Sequence, residues 1–423
     1  MGNVLTTLSQ RGFISQKSDE DLAAKLETPI TLYAGFDPTA DSLHIGHLMQ
    51  IMLLAQFQRH GHRPIPLIGG ATAMIGDPSG KNEERNLLMP ETIEKNLAGI
   101  RRQLEQFLDF DSGDNSALLV NNADWIGRFS FVEFLRDVGK YFRVGEMMGK
   151  ESVRKRLQSE VGMSFTEFSY QLLQAYDFLH LFRQYQCVLQ VGGDDQWGNI
   201  IAGIDLVRKL EQQTVYGVTS SLLTTSSGRK FGKTEAGSVW LDEDKTSAYE
   251  FYQYWIRAED QEVIKLLKLF TFLSLEEIDD LERQVQTEPE KRQAQKVLAE
   301  EVTKWVRGAE QTALAQKASG VLFGQEISGL SDQDLNRIFV DVPSMSMPRD
   351  RLNAGMDLLD VLCETGLCTS RGEAKKLVKA GGAYINNNQV TDMNQKLTTQ
   401  SLASESILVL RTGKKKYFLL KFE

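Results

Sequence analysis

Two imidazoles and two amines carry the spacing most suggestive of chemistry. His44-Ile45-Gly46-His47 follows Asp37-Pro38-Thr39 at the start of a helix-like stretch, Leu43 to His60. A helix N-terminus presents unpaired N–H groups and partial positive charge, which suits phosphate. Imidazoles three residues apart share one helix face, and Gly46 leaves room for a flat group such as a nucleobase. Far downstream comes Gly228-Arg229-Lys230-Phe231-Gly232-Lys233-Thr234, preceded by Ser226-Ser227. Two lysines three apart on a flexible loop can close over a triphosphate. Positioned cations at developing phosphate charge are worth roughly 2–4 kcal/mol each. Taken singly, each motif is weak: His-x-x-His is often incidental or half of a zinc site, and Lys-x-x-Lys is usually a solvated surface. Zinc needs further ligands at suitable spacing. His60 and His62 lie at the far end of the same helix, so no protein-bound metal is expected.

A third group lies on Ser164 to Phe178, where Tyr170, Gln174 and Asp177 fall at i, i+4 and i+7 and so share a face. Such a stripe usually faces solvent. Here Phe165, Phe168, Leu172, Leu173 and Phe178 surround it, and polar groups among aromatics suit a ligand with an ammonium and a polar tip.

The elements that must position these groups read as alternating strands and helices. Residues 30–36, 63–70, 187–191 and 215–223 are strand candidates separated by helical patterns, which predicts an α/β fold with a Rossmann-like parallel sheet. A helix ending near Leu26 precedes them, closed by Pro29. Three strands end in glycine-bearing turns, at Gly35-Phe36-Asp37, Gly69-Gly70 and Gly192-Gly193. Ligands sit outside the carboxyl ends of such strands, and glycine admits close approach to the backbone. Asp195, after the third turn, suits a ribose hydroxyl.

Past about Lys245 helical patterns dominate, with Ser274-Leu275-Glu276-Glu277 a capping box and Leu298, Val302, Trp305 and Val306 at packed-helix spacing. The expected order is a catalytic domain over 1–244, a helical domain over 245–340, a linker over 341–354 and a small α+β domain over 355–423. From Arg349 onward there are 12 Lys+Arg and 8 Asp+Glu, a balance of +4, while the whole chain carries −9. A basic tail on an acidic body suggests a local polyanion contact. Arg371, Lys375, Lys376 and Lys379 cluster on one short helix with Ser370 as N-cap, and Lys414 and Lys415 fall in the last turn. Basic groups so clustered contact phosphates, although a solvated basic face would read alike. Three cysteines and no long apolar stretch suit an intracellular, cytoplasmic chain.

Together, the two phosphate motifs resemble the HIGH and KMSKS signatures of class I aminoacyl-tRNA synthetases. The second is spelled K-F-G-K-T here and keeps both lysines. Similarity to the bacterial tyrosyl-tRNA synthetase family runs through Tyr33 to His47, Gly69 to Gly80, Phe165 to Phe178 and Gly192 to Asn199. The resemblance implies that Tyr33 and Asp177 hold a substrate phenol, that Asp77, Tyr170 and Gln174 hold its ammonium, and that Gln196 lies near its carboxylate. It implies an ATP site at Gly35, Asp37, Thr39, His44, Gly46, His47, Gly192, Asp195, Lys230 and Lys233. Magnesium would arrive with ATP. The implied reaction joins tyrosine to the 3′ end of tRNA(Tyr). A homodimer, an anticodon-contacting helical region and a tail like a ribosomal small-subunit protein's RNA-binding domain are implied too. Three positions depart from common family usage: Ala34, Gln50 and Asp194, the last doubling the charge beside Asp195.

Rival readings are a tryptophan-specific sibling, a small-molecule nucleotidyltransferase, and a synthetase-like RNA-binding factor. Tyr33 and Asp177 suit a phenol over an indole. The basic tail suits RNA, and the intact histidine and lysine pairs suit catalysis.

Overall fold

The computed structural model describes residues 3–79, 89–158, 162–223, 231–234, 237–322, 324–327, 329–340, 342–413 and 416–423. They form two compact units: Met1–Ser247 with Tyr254–Val306, and Ala248–Gln253 with Arg307–Glu423.

The first unit is built on a six-stranded sheet. Its strands are β1 (Gln16–Lys17), β2 (Thr31–Phe36), β3 (Arg63–Ile68), β4 (Val120–Asn121), β5 (Cys187–Gly193) and β6 (Tyr216–Ser220), in the order β1-β6-β5-β2-β3-β4. All neighbouring pairs are parallel except β1 with β6. Strands covered on both faces carry near-continuous apolar runs, and β2, β3 and β6 are almost wholly buried. Pro64 and Pro66 are tolerated inside β3 because its bonds to the β2 side are made by other residues: Arg63 N–H donates to Ile30, and Gly69 N–H to Phe36. On the other side β4 pairs only with Leu67 and Ile68, and Leu118 donates to the Pro64 carbonyl. Neither proline needs the N–H it lacks.

The expected N-terminal helix is two pieces, Val4–Arg11 and Leu22–Lys25. Gly12 closes the first in the left-handed region, with φ 80°, a conformation glycine adopts without a Cβ penalty. β1 and β4 escape a periodicity reading because two residues show no alternation. The Ser274/Glu277 capping box forms as read. Leu298, Val302 and Val306 are buried, and Trp305 meets Phe107 and Phe272 edge-on. The helical run Gln293–Leu322 breaks at Gly308, whose φ and ψ are 82° and 168°.

The second unit carries a five-stranded sheet, ordered Asn388–Gln389, Ala383–Ile385, Ile407–Thr412, Lys416–Phe422, Ser344–Met347. Ser344–Met347, within the stretch expected as a linker, pairs in parallel with the last strand. Helices Leu358–Glu364 and Arg371–Lys379 contribute Leu359, Leu362 and Val378 to a core with Leu408, Leu410 and Leu420. Ile407, Val409 and Leu419 face a second cluster with Leu335 and Phe339. Alternate residues of these strands thus serve two cores, which explains why Ile407–Thr412 is buried throughout. Among the described residues no helix is long and apolar enough to cross a membrane.

Candidate functional site

At the carboxyl ends of β2, β3 and β5 a cavity of about 860 Å3 opens. Tyr33, Gly35, Asp37, Thr39, His44, Gly46, His47, Asp77, Tyr170, Gln174, Asp177, Asp195 and Gln196 all line it. Three residues that sequence reading passed over, Thr72, Ser79 and Gln190, line it too. Gly192 does not, and its neighbour Gly193 does; a Cβ on Gly192 would touch Gln196 and Ile200. Of the glycines at strand ends, Gly35 opens onto free space. At Gly69 the group approaching the backbone is no ligand: a Cβ would lie 2.0 Å from Asp37 Oδ1 and 2.3 Å from Thr72 Oγ1. The Gly69 turn is therefore shaped by side chains the cavity needs in place.

Asp177 lines the cavity and is buried on the Phe165–Tyr185 helix. Its carboxylate accepts from Trp125 Nε1 at 2.8 Å and Asn122 Nδ2 at 3.0 Å. Burial raises its pKa to about 7, while these two bonds pull the other way. Tyr33, on β2, is 1% exposed and its hydroxyl has no hydrogen-bond partner. Burial, and then the charge of Asp177, hold the Tyr33 phenol well above its usual pKa. A buried polar atom left without a partner is costly and calls for a functional explanation. Gln190 sits opposite Tyr33 in the register of β2 and β5, and its Oε1 is likewise buried without a partner.

Asn122 also donates to Thr72 Oγ1 at 3.0 Å, and Thr72 donates to Asp37 Oδ1 at 2.8 Å. Asp37 Oδ2 accepts from the Tyr170 hydroxyl at 2.9 Å. One polar network thus ties three strand ends to the helix that carries Tyr170 and Asp177. Burial comes first among the causes that raise the Tyr170 pKa, followed by the charges of Asp37 and Asp77. A second network surrounds Asp77, which accepts from Gln196 Nε2 at 2.6 Å and Ser79 N–H at 2.9 Å. Asn199 donates to Gln174 Oε1 at 3.1 Å and Gln196 Oε1 at 3.2 Å, so one buried amide orients both glutamines. Asn122, Trp125 and Asn199 act one layer behind the cavity, at spacings that mark them only once the chain is folded.

The helix Ile45–Arg59, whose first turn also lines the cavity, starts with His44 as N-cap. His44 Nδ1 accepts from Gly46 N–H at 3.0 Å, and His47 Nδ1 accepts from His44 N–H at 3.2 Å. The two rings lie 4.0 Å apart, tilted by 31°. With both Nδ1 atoms accepting, a neutral ring carries its proton on Nε2. Gly46 is demanded from within: a Cβ would lie 2.7 Å from His44 Cε1. Gly232, at φ +83°, packs against this turn, where its Cβ would lie 3.2 Å from Gly46 N. Ile45 N–H donates to Val239, and Val239 N–H to Gly232. The two phosphate motifs, distant in sequence, are joined through their backbones. Of Lys233 only the backbone is described, pairing with Ser238; Lys230, Lys414 and Lys415 lie outside the described residues.

Asp194 turns away from this chemistry. It accepts from Ser15 Oγ at 2.7 Å, Gln16 Nε2 at 3.3 Å and Thr219 Oγ1 at 2.5 Å, fastening the antiparallel edge β1 to the sheet. Ala34 is buried in β2 and does not line the cavity, whereas Gln50 does. In the second unit Lys375, Lys376 and Lys379 are exposed, and Arg371 is engaged by Asp357 and Asp360. Among the described residues no group of three or more His, Cys, Asp or Glu could hold a metal ion.

A family model described as tRNA synthetases class I (W and Y) matches residues 25–324, and a tyrosine–tRNA ligase SYY-like C-terminal domain matches 334–420. The tyrosine–tRNA ligase of Rhodopirellula baltica is 51% identical across all of this chain and 97% of its own length. That of Roseiflexus castenholzii is 50% identical across the full length of both. Among solved structures, a C-terminally truncated Aspergillus nidulans mitochondrial tyrosyl-tRNA synthetase superposes with a TM-score of 0.70 at 33% identity, covering 76% of this chain and 95% of that one. With two family models matching 25–324 and 334–420 and its whole length shared with those relatives, this chain belongs to the tyrosine–tRNA ligase family of class I tRNA synthetases.

Proposed function

We propose that the cavity activates L-tyrosine with ATP, giving tyrosyl-adenylate and pyrophosphate, and then passes the tyrosyl group to the 3′ end of tRNA(Tyr). The observation that carries this reading is the buried Asp177 carboxylate beside a Tyr33 hydroxyl with no partner, in the same cavity as the His44/His47 helix start. A phenol O–H entering there donates to Asp177 and meets the Tyr33 hydroxyl. Asp77, Tyr170 and Gln174 receive the ammonium, and Gln196 lies at the carboxylate. The substrate carboxylate oxygen attacks the α-phosphorus in line as the bond to pyrophosphate breaks. A carboxylate is already a nucleophile, so catalysis is positioning and charge stabilisation. Thr39, His44, Lys230 and Lys233 meet the phosphates; Gly35, Asp37, Gly46, His47, Gly192 and Asp195 frame the nucleoside. Magnesium arrives bound to the ATP phosphates.

The basic helix of the second unit, with Lys375, Lys376 and Lys379 exposed, suits tRNA phosphates; Arg371, Lys414 and Lys415 complete that proposed surface. A homodimer fits the apolar side chains exposed close in sequence, with Phe131 67%, Val132 72%, Val144 61% and Phe165 67% accessible. Three unpaired cysteines suit the reducing cytoplasm.

Pyrophosphate exchange with tyrosine, tryptophan and phenylalanine as alternatives tests the assignment. Exchange with tyrosine, at least about 100-fold above either rival, is expected; tryptophan leading, or no charging of tRNA(Tyr), overturns it. Tyr33→Phe carries two opposite expectations. Removing a buried hydroxyl without a partner stabilises the free protein by about 1 kcal/mol, read as a higher denaturation midpoint. Discrimination against phenylalanine falls at the same time, read as the ratio of kcat/KM values.

A further inference from the structure

Phe231 and Gly232, between the two lysines of the second motif, are held by side chains that none of the roles above uses. Phe231 is 8% exposed. Its ring stacks on Phe270 at 5.6 Å and 15°, and meets Tyr254 at 5.7 Å and Trp255 at 5.8 Å. Gly232 N–H donates to the Tyr254 hydroxyl at 3.0 Å. The seat is itself braced. Phe270 ends the helix Asp260–Phe270, where the Arg11 guanidinium donates to the Lys268 and Thr271 carbonyls, each at 2.9 Å. On its other side Gly232 abuts Gly46 N, and its carbonyl accepts from Val239. The backbone between the lysines is therefore pinned between an aromatic seat and the first turn of the His44 helix.

We propose that Tyr254 is a positioning residue for adenylate formation: its hydroxyl and the ring seat fix Phe231–Gly232 against the His44 helix and so set where Lys233 meets the triphosphate. This rests on the phosphate role proposed above for Lys233. Burial pushes the Tyr254 pKa up to about 12, so the group stays a neutral hydroxyl throughout the working range. Its oxygen is the acceptor that a phenylalanine ring lacks, and the substitution leaves the Gly232 N–H without that partner.

Tyr254→Phe is expected to lower kcat for tyrosine-dependent pyrophosphate exchange roughly 5- to 50-fold. The KM for tyrosine should stay within error of the parent, and the melting temperature should fall by a few degrees at most, the cost of one unpaired N–H. Phe270→Leu, which loses the stack and some core volume, should lower kcat in the same way with the KM for tyrosine unchanged, at the cost of a lower melting temperature. In a Lys233→Ala background, Tyr254→Phe should change kcat less than about twofold, because groups acting through one contact are not additive. Exchange within twofold of the parent for Tyr254→Phe, a tyrosine KM moving in step with kcat, or an undiminished effect in the Lys233→Ala background each overturns the proposal. The two readings fail separately. Unchanged exchange in Lys233→Ala removes the lysine role, while a Lys233→Ala defect beside an unaffected Tyr254→Phe removes the seat.

Discussion

Replacing Lys233 by alanine should slow tyrosyl-adenylate formation by roughly 30- to 1000-fold, the equivalent of about 2–4 kcal/mol of lost transition-state stabilisation. The affinity for tyrosine should stay within about twofold. The expectation follows from the backbone contact between the two motifs, which brings the chain at Gly232 against Gly46. In its proposed role the lysine acts on charge that appears only as pyrophosphate departs, so the loss belongs in kcat rather than in ground-state binding. Single-turnover adenylate formation and equilibrium tyrosine binding, measured on one preparation, separate the two. Equal losses in both would remove the lysine from its assigned place.

The second large effect is expected at Asp177. Asp177→Asn keeps the shape of the side chain, removes the negative charge, and sets an amide among the Trp125 and Asn122 donors. Hydrogen bonds to charged groups contribute about 1.5–3 kcal/mol, and orphaned buried donors cost a further amount. The expected loss in kcat/KM for tyrosine is roughly 100-fold or more. The parent should also show a pH dependence that the variant lacks. Asp177 titrates near 7 in the folded chain because burial disfavours its charge, against the ordinary value of 3.8 when unfolded. The native state therefore binds the extra proton between these values. The contribution of this group to stability is fully present below about pH 4 and is lost as pH rises through about 7. Substrate recognition runs the other way, since the ionised carboxylate is the better phenol acceptor. In the parent, kcat/KM for tyrosine should rise with pH to a plateau above about 7, reporting the free enzyme. A profile of the same shape in Asp177→Asn would assign the titration to another group.

Much of the molecule was legible in the chain alone. β2, β3, β5 and β6 carry apolar runs bounded by turn residues, so they were found within a few residues of their true ends. Gly35 and Asp37 follow β2 closely, and Asp195 follows β5, so their place at one sheet edge came with the strands. The same holds for Tyr170, Gln174 and Asp177, which share a helix face by spacing. Two-residue strands were not legible. Nor was Ser344–Met347, a short and mostly polar edge whose partner is the last strand of the chain. Asp194 was conspicuous as a charge and obscure as to purpose, because Ser15, Gln16 and Thr219 reach it only through folding.

Residue types and local spacing by themselves picked out the groups proposed to carry the chemistry: paired imidazoles at a helix start, paired amines on a downstream loop, and a polar stripe among aromatics. Those signals reside in a few consecutive residues or in helical repeat, and need no distant partner. Tertiary structure alone decided what holds the imidazoles and the polar stripe in place. The second layer of Asn122, Trp125 and Asn199, the lone Tyr33 hydroxyl, and the meeting of Gly232 with Gly46 all join segments far apart in sequence. Such contacts have no local periodicity, because their energy comes from burial and hydrogen-bond pairing that exist only once the sheet has assembled.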